Sequence, residues 1–174
     1  MTREDQLIKR YREGDGSALD ELVRMYYADI LRYCLWHAPD RQCAEDAVQE
    51  SFLKMIRYLP SYTHRGYFRA FLYRIAANTC VDLYRSKWSA IEALPDGLSR
   101  EECGYRQAEE EADFRHLVSC LPPEQRELVL LRFAQQLTLR EMAEITGLPL
   151  RTVQSRLRAA LKKIKSSLLE GGWE

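Results

Sequence analysis

Between Thr138 and Leu168 the chain reads TLREMAEITGLPLRTVQSRLRAALKKIKSSL, and few architectures accommodate that string. Thr138 and Glu141 stand in T-x-x-E spacing, which predicts a capping box at the start of a helix. Gly147 falls where a turn needs a left-handed backbone, which only glycine adopts without steric cost. Ala143 is small where a second helix must cross closely, and Val153 is spaced to plug the angle between the two. Pro149 suits the first turn of the second helix, where its missing N–H is unpaired anyway. That second helix divides by face. Val153, Leu157, Ala160, Leu161, Ile164 and Leu168 form an apolar side; Arg151, Ser155, Arg158, Lys162 and Lys165 run along the other. Arg151 to Lys165 holds six basic residues and no acid. A solvated charged face would be the ordinary reading of such a helix. The capping box, the turn glycine and the single sign of charge point instead to a helix-turn-helix that reads DNA.

The rest of the chain is also helical in pattern. Its 174 residues suffice for one domain or two small ones, glycine and proline are sparse, and no alternation of strand type is sustained. No apolar run approaches the ~20 residues of a membrane span, and the charged N-terminus MTREDQLIKRYREGD does not read as a secretory signal. A cytoplasmic protein without direct membrane insertion is expected.

Helices are expected over Glu4–Glu13, Ser17–His37, Arg41–Leu59, Tyr67–Ser86 and Glu124–Gln135, with the helix-turn-helix to follow. In the fourth, Phe68, Leu72, Ile75, Thr79 and Leu83 face inward, and Tyr73 also suits the core. In the helix from Glu124, Leu128 and Leu131 face inward together with either Phe133 or Val129. From about Lys87 to Gln107 the periodicity fails around Pro95-Asp96-Gly97 and Gly104. The expected fold is all-α, with two small helical domains (1–88 and 108–174) joined by a flexible acidic linker (89–107).

The zero net charge conceals segregation. Residues 54–88 carry seven basic residues against the single acid Asp82, whereas residues 89–112 carry two arginines against seven acids. Two positive zones separated by an acidic strip suggest two contacts with a polyanion. The five cysteines (34, 43, 80, 103 and 120) form no C-x-x-C pair, and their odd number argues against a disulfide framework. His116 with Cys120, or Cys34 with His37, has the spacing to begin a metal site, but no four-ligand set is visible; no metal or cofactor is expected, and buried or half-buried thiols are.

Four segments in order, AEDAVQESFLKMIRYL (Ala44–Leu59), FRAFLYRIAANTCVDLYRSK (Phe68–Lys87), LPPEQRELVLLRF (Leu121–Phe133) and TLREMAEITGLPLRTVQSRL (Thr138–Leu157), resemble a bacterial RNA polymerase sigma factor of the extracytoplasmic-function group. The resemblance covers almost the whole chain. It implies a first domain that docks on the polymerase clamp and reads the melted minus-10 promoter element. It implies a second domain that reads the minus-35 element as duplex. Asp46, Gln49 and Glu50 then fall where the family meets core polymerase; residues alone would make them a solvated helix face. Tyr62, Arg65, Tyr67, Arg69, Phe71, Arg74, Asn78 and Arg85 match the segment that handles single-stranded DNA, where aromatics stack on bases and cations meet phosphates. Arg151, Thr152, Gln154, Ser155, Arg156 and Arg158 match the upstream reader, with Lys162, Lys163 and Lys165 further along on phosphates. The family is commonly held inactive by an anti-sigma factor, so such a partner is expected.

Two positions depart from the family pattern: Phe71 stands where Trp is usual, losing an indole N–H, and Ala159 stands where Arg is frequent. Two other readings compete. A helix-turn-helix repressor with a ligand-sensing domain would leave YRIAANT and the acidic strip without a role. A helical enzyme finds no nucleophile–base pair, complete metal set or phosphate loop to support it.

Overall fold

The computed structural model describes residues 2–63, 65–91 and 105–170, with side chains described for 2–63, 65–83 and 112–170. The chain forms two compact units, Met1–Asp96 and Gly97–Glu174. Every described helix is right-handed, and no strand occurs among the described residues. None of the described helices is long and apolar enough to cross a membrane.

The first unit holds four α-helices: α1 (Arg3–Arg12), α2 (Gly16–His37), α3 (Arg41–Tyr58) and α4 (Phe68–Ile91). Each of the first three starts on a polar cap. Thr2 and Asp5 form a capping box, Asp15 accepts from Ser17 N at 3.0 Å, and Asp40 accepts from Cys43 N at 2.7 Å. The turn between α1 and α2 uses Gly14 at φ 99°. Helices α2, α3 and α4 pack on one another, and α1 lies against α2. Their shared core is built from Leu22, Tyr26, Ile30 and Tyr33 of α2, Ala44, Ala47, Val48 and Met55 of α3, and Phe68, Leu72, Tyr73 and Ala76 of α4. The alanines of α3 leave little side chain at the contact, which suits close approach of its neighbours. Each large side chain taken fully from water contributes roughly 1.5–3 kcal/mol.

Helix α4 runs through Ile91, five residues beyond the expected end at Ser86. The acidic linker expected over 89–107 falls mainly on residues 92–104, outside the described residues; α5 begins at Tyr105.

The second unit holds α5 (Tyr105–Ser119), α6 (Pro123–Val129), a π-helical turn (Leu130–Ala134), α7 (Leu139–Thr146) and α8 (Leu150–Glu170). Arg126 of α6 donates to the carbonyls of Val118, Ser119 and Leu121 at 3.1–3.2 Å, which satisfies carbonyls that the end of α5 leaves open. The expected continuous helix Glu124–Gln135 is interrupted by the π turn, closed by Gln135 N donating to Leu130 O at 3.1 Å. The wider turn fits four consecutive buried residues, Leu128 to Leu131, where a strict α period would turn one outward. Val129 is the inward residue, and Phe133 is 50% exposed.

Capping box and turn take the form the sequence requires. Thr138 Oγ1 accepts from Glu141 N at 3.2 Å, and Glu141 Oε2 accepts from Thr138 N at 2.8 Å. Gly147 is left-handed at φ 69°. Helix α8 begins one residue after Pro149, whose carbonyl accepts from Thr152 N and Val153 N. Val153, Leu157 and Ala160 are buried against the unit, but the apolar face does not stay covered along the helix: Leu161 and Leu168 are exposed, as is Leu169. Helix α8 outruns the body that it packs on.

Candidate nucleic-acid and polymerase interfaces

On α3, burial of Cys43, Ala44, Ala47, Val48, Ser51, Phe52 and Met55 fixes which residues face out. Asp46 and Gln49 are exposed and Glu50 half-buried, all on the side away from that stripe. Gln42 Nε2 donates to Asp46 Oδ1 at 3.1 Å, so the carboxylate is oriented along the helix. Leu53, 49% exposed, lies one turn beyond Gln49 and Glu50 on the same face. The sequence reading passed over it, although its i+4 and i+3 spacing from the pair was the available signal.

The expected single-strand site separates into three groups. Arg74 and Asn78 are exposed on the outer line of α4, followed by Val81, 53% exposed at the next i+3 position. Tyr62, Tyr67 and Phe71 are half-buried. Tyr62 and Phe71 sit with ring centroids 4.4 Å apart, and both rings approach the buried Phe68. Phe71 is therefore partly a wall of the aromatic cluster, with only part of its ring available at the surface. Arg65 is exposed in the preceding loop. That loop is tied down by Arg12, whose guanidinium donates to the carbonyls of Leu59 and Tyr62.

Arg69 differs from the others. Its guanidinium is 3.7 Å from Asp29 and lies over the Tyr73 ring at 5.8 Å, so its charge is turned toward α2. The side chain of Arg85 lies outside the described residues. Phe68 and Tyr73 are in the core, as their spacing requires.

On α8, Arg151, Gln154, Ser155, Arg158, Lys162 and Lys165 are exposed, with Lys163 exposed on the flank. Thr152 and Arg156 are half-buried. Arg156 Nη1 donates to Glu124 Oε2 of α6 at 2.8 Å, so it is engaged at the flank of the exposed line. Ser155 Oγ donates back to Thr152 O at 3.1 Å, which restrains the hydroxyl near the exposed line. Ala159 is exposed beside Arg158.

Of the spacings considered for metal, His116 and Cys120 are both exposed, and His37 Nδ1 lies 2.8 Å from Tyr33 O. Among the described residues, no three His, Cys, Asp or Glu side chains group as a metal site.

Burial raises two tyrosines of the first unit. Tyr62 is pushed up to about 12 by burial, with Asp5 and Glu4 adding to it; Tyr73 is pushed up to about 12 by burial, helped by Asp29 and opposed by Arg69. An unfolded tyrosine ionises near 10, so unfolding between these values releases protons and is favoured by rising pH. The stabilisation is complete below about pH 10 and is lost as pH rises toward about 12. Tyr73 alone should account for about 2–3 kcal/mol of that loss. Urea unfolding at stepped alkaline pH should show it, and Tyr73→Phe should flatten the dependence; an equal slope in the variant would refute the assignment.

The geometry defines a class before any comparison. Two helical units carry outward polar faces, and the second presents a capped, cationic helix-turn-helix. A family model described as Sigma-70 region 2 matches residues 22–90, and one described as Sigma-70, region 4 matches residues 111–164. The chain is 31% identical over 183 residues to the ECF RNA polymerase sigma factor SigD of Mycobacterium tuberculosis, covering 98% of this chain and 86% of that protein. It is 28% identical to the ECF RNA polymerase sigma factor SigW of Bacillus subtilis, covering 90% and 93%. Its fold is similar to that of CnrH, solved in complex with the cytosolic domain of CnrY (TM-score 0.75, 23% identity, 99% and 100% covered). It is also similar to that of RpoE from Bartonella quintana, solved in complex with the anti-sigma factor NepR (TM-score 0.66, 20% identity, 85% and 96% covered).

The chain belongs to the ECF RNA polymerase sigma factors. It is a regulatory factor of transcription initiation, working with core RNA polymerase on promoter DNA.

Proposed function

We propose that the two units divide promoter recognition between them, with residues 1–88 and 108–174 as the working domains and 89–107 as their linker. The outward face of α3, with Asp46, Gln49 and Glu50, docks on the polymerase clamp. Arg74 and Asn78 of α4, with Arg65, Tyr67 and the exposed edges of Tyr62 and Phe71, hold the unwound minus-10 strand. Helix α8 enters the major groove of the minus-35 element. The chain has no catalysis of its own, acts in the cytoplasm, and is restrained by an anti-sigma factor.

One observation carries this reading: the exposed line Arg151, Ser155, Arg158, Lys162 lies opposite the buried line Val153, Leu157, Ala160 on a helix set by a capped turn. A helix anchored so presents only one side to a ligand, and that side holds no acid between Arg151 and Lys165. Residues near its N-terminus can reach base edges, whereas the later lysines meet phosphates. Arg69 and Arg156 support these faces from the flanks through Asp29 and Glu124.

Run-off transcription with core polymerase on genomic fragments should yield discrete start sites that depend on this chain. On the promoter so found, Arg158→Ala should relax preference at one or two upstream base pairs, by about 1–3 kcal/mol of discrimination. Lys162→Ala should weaken all promoters alike and lower the salt slope by about one. Lysine variants that alter sequence preference, beside an Arg158 variant that does not, would overturn the placement of α8.

A further inference from the structure

Cys34 of α2 and Cys80 of α4 are 46 residues apart in sequence, yet their sulfurs lie 3.8 Å from each other in the core of the first unit. Both residues are buried, Cys34 completely. Cys43 is also buried, but its Sγ donates to Oδ2 of Asp40, the cap of its own helix, at 3.3 Å; Cys120 is exposed with its Sγ against Leu117 O. Cys34 and Cys80 thus face each other sulfur to sulfur across the α2–α4 contact.

We propose that Cys34 and Cys80 are a site of reversible two-electron oxidation, closing a disulfide that staples α2 to α4. The reaction balances with a hydroperoxide as oxidant. One sulfur attacks the peroxide, forming S–O as O–O breaks, and water or an alcohol leaves with a proton. The second sulfur then attacks the first, forming S–S as S–O breaks, and water leaves. Two thiols have lost two electrons and two protons to the peroxide. A disulfide needs the sulfurs at about 2.05 Å, so they must close by roughly 1.8 Å, within reach of side-chain rotation. Helices α2 and α4 already pack together, so the bond joins groups that the fold has placed in contact and restrains chiefly the unfolded chain.

The same surroundings set the rate. The thiolate is the nucleophile, and the Cys34 thiol is pushed up by its contact with Cys80 and by burial. The folded chain therefore reacts slowly, under sustained exposure, and after the accessible Cys120. The staple lies two residues from Asn78 but on the opposite, buried side of α4. On the reading proposed above, the outward line Phe71, Arg74, Asn78 stays intact, so the oxidised chain keeps its promoter activity.

The test treats the full chain with hydrogen peroxide, caps remaining thiols, and maps cross-linked peptides by mass. The expected product joins Cys34 to Cys80, two hydrogens lighter, and is reversed by dithiothreitol. Its midpoint of thermal unfolding should lie roughly 10 °C or more above that of the reduced chain. Cys34→Ala and Cys80→Ala should each lose both the cross-link and the thermal gain, and Cys43→Ala should keep both. A pair still reduced when peroxide exposure is prolonged well past full oxidation of Cys120 would overturn the proposal, as would a cross-link with no thermal gain. Transcription by the reduced chain, run alongside, tests the sigma-factor reading independently: a reduced chain inactive on every promoter would sink that reading and leave the staple standing.

Discussion

Val153→Asp should dismantle the helix-turn-helix while leaving the first unit folded. Val153 is 0% exposed on the buried line of α8, together with Leu157 and Ala160, and that helix packs on α6 and α7. A carboxylate there is taken from water into the buried face of the helix. The cost is several kcal/mol, comparable with the ~5–15 kcal/mol that holds a small domain together. Protonation of the new acid would soften the penalty at low pH but not at neutrality. Hydrogen exchange followed by mass spectrometry should show loss of protection over residues 138–160 and retention over 16–80. Binding to upstream duplex should vanish. Protected amides in 138–160 together with normal duplex affinity would show that Val153 is not the keystone of this unit.

The second large effect is expected at the polymerase. Gln49→Ala with Glu50→Ala should lower affinity for core polymerase by roughly 10–100-fold, as losing a central pair at an interface commonly costs 2 kcal/mol or more. Helix content should be unchanged, because alanine favours helix and the buried stripe of α3 is untouched. Leu53→Ala, added to the pair, should deepen the loss, since an exposed apolar side chain one turn from Gln49 and Glu50 adds apolar contact area to the same face. Competition for labelled core enzyme measures it. Undiminished affinity in the triple variant would remove α3 from the docking surface.

The helix-turn-helix was legible because its signals are local. A capping box, a left-handed glycine and a 3.6-residue apolar period each sit within a few residues, and Thr138, Gly147 and Val153 behave as their spacing requires. The same holds for Phe68 and Tyr73 in the core of the first unit. What escaped the sequence depends on partners distant in the chain. The run Leu128–Leu131 reads as ordinary helix; the π turn belongs to a segment in which all four are buried. The ion pairs of Arg69 with Asp29 and of Arg156 with Glu124, each on another helix, are not legible in the local sequence. Cys34 was paired in sequence with His37 and met Cys80 instead. The extension of α4 to Ile91 runs through a stretch whose apolar spacing is too irregular to announce a helix.

The clasp made by Arg12 bears on how far this chain can be treated as a set of exchangeable parts. The segment matched by Sigma-70 region 2 begins at residue 22, after α1 has ended. Yet Arg12 of α1 holds the carbonyls of Leu59 and Tyr62, and Glu4 of α1 accepts from the Tyr26 hydroxyl at 2.6 Å. The loop after α3 is thus mounted on a helix outside the stretch that marks the family. A chimaera that carried only residues 22–90 into a related factor would transplant the loop and α4 without their bracket. It would inherit whatever angle the host's own N-terminal helix imposed on the loop. Grafts cut ahead of Thr2 would move the loop and its mount as one piece.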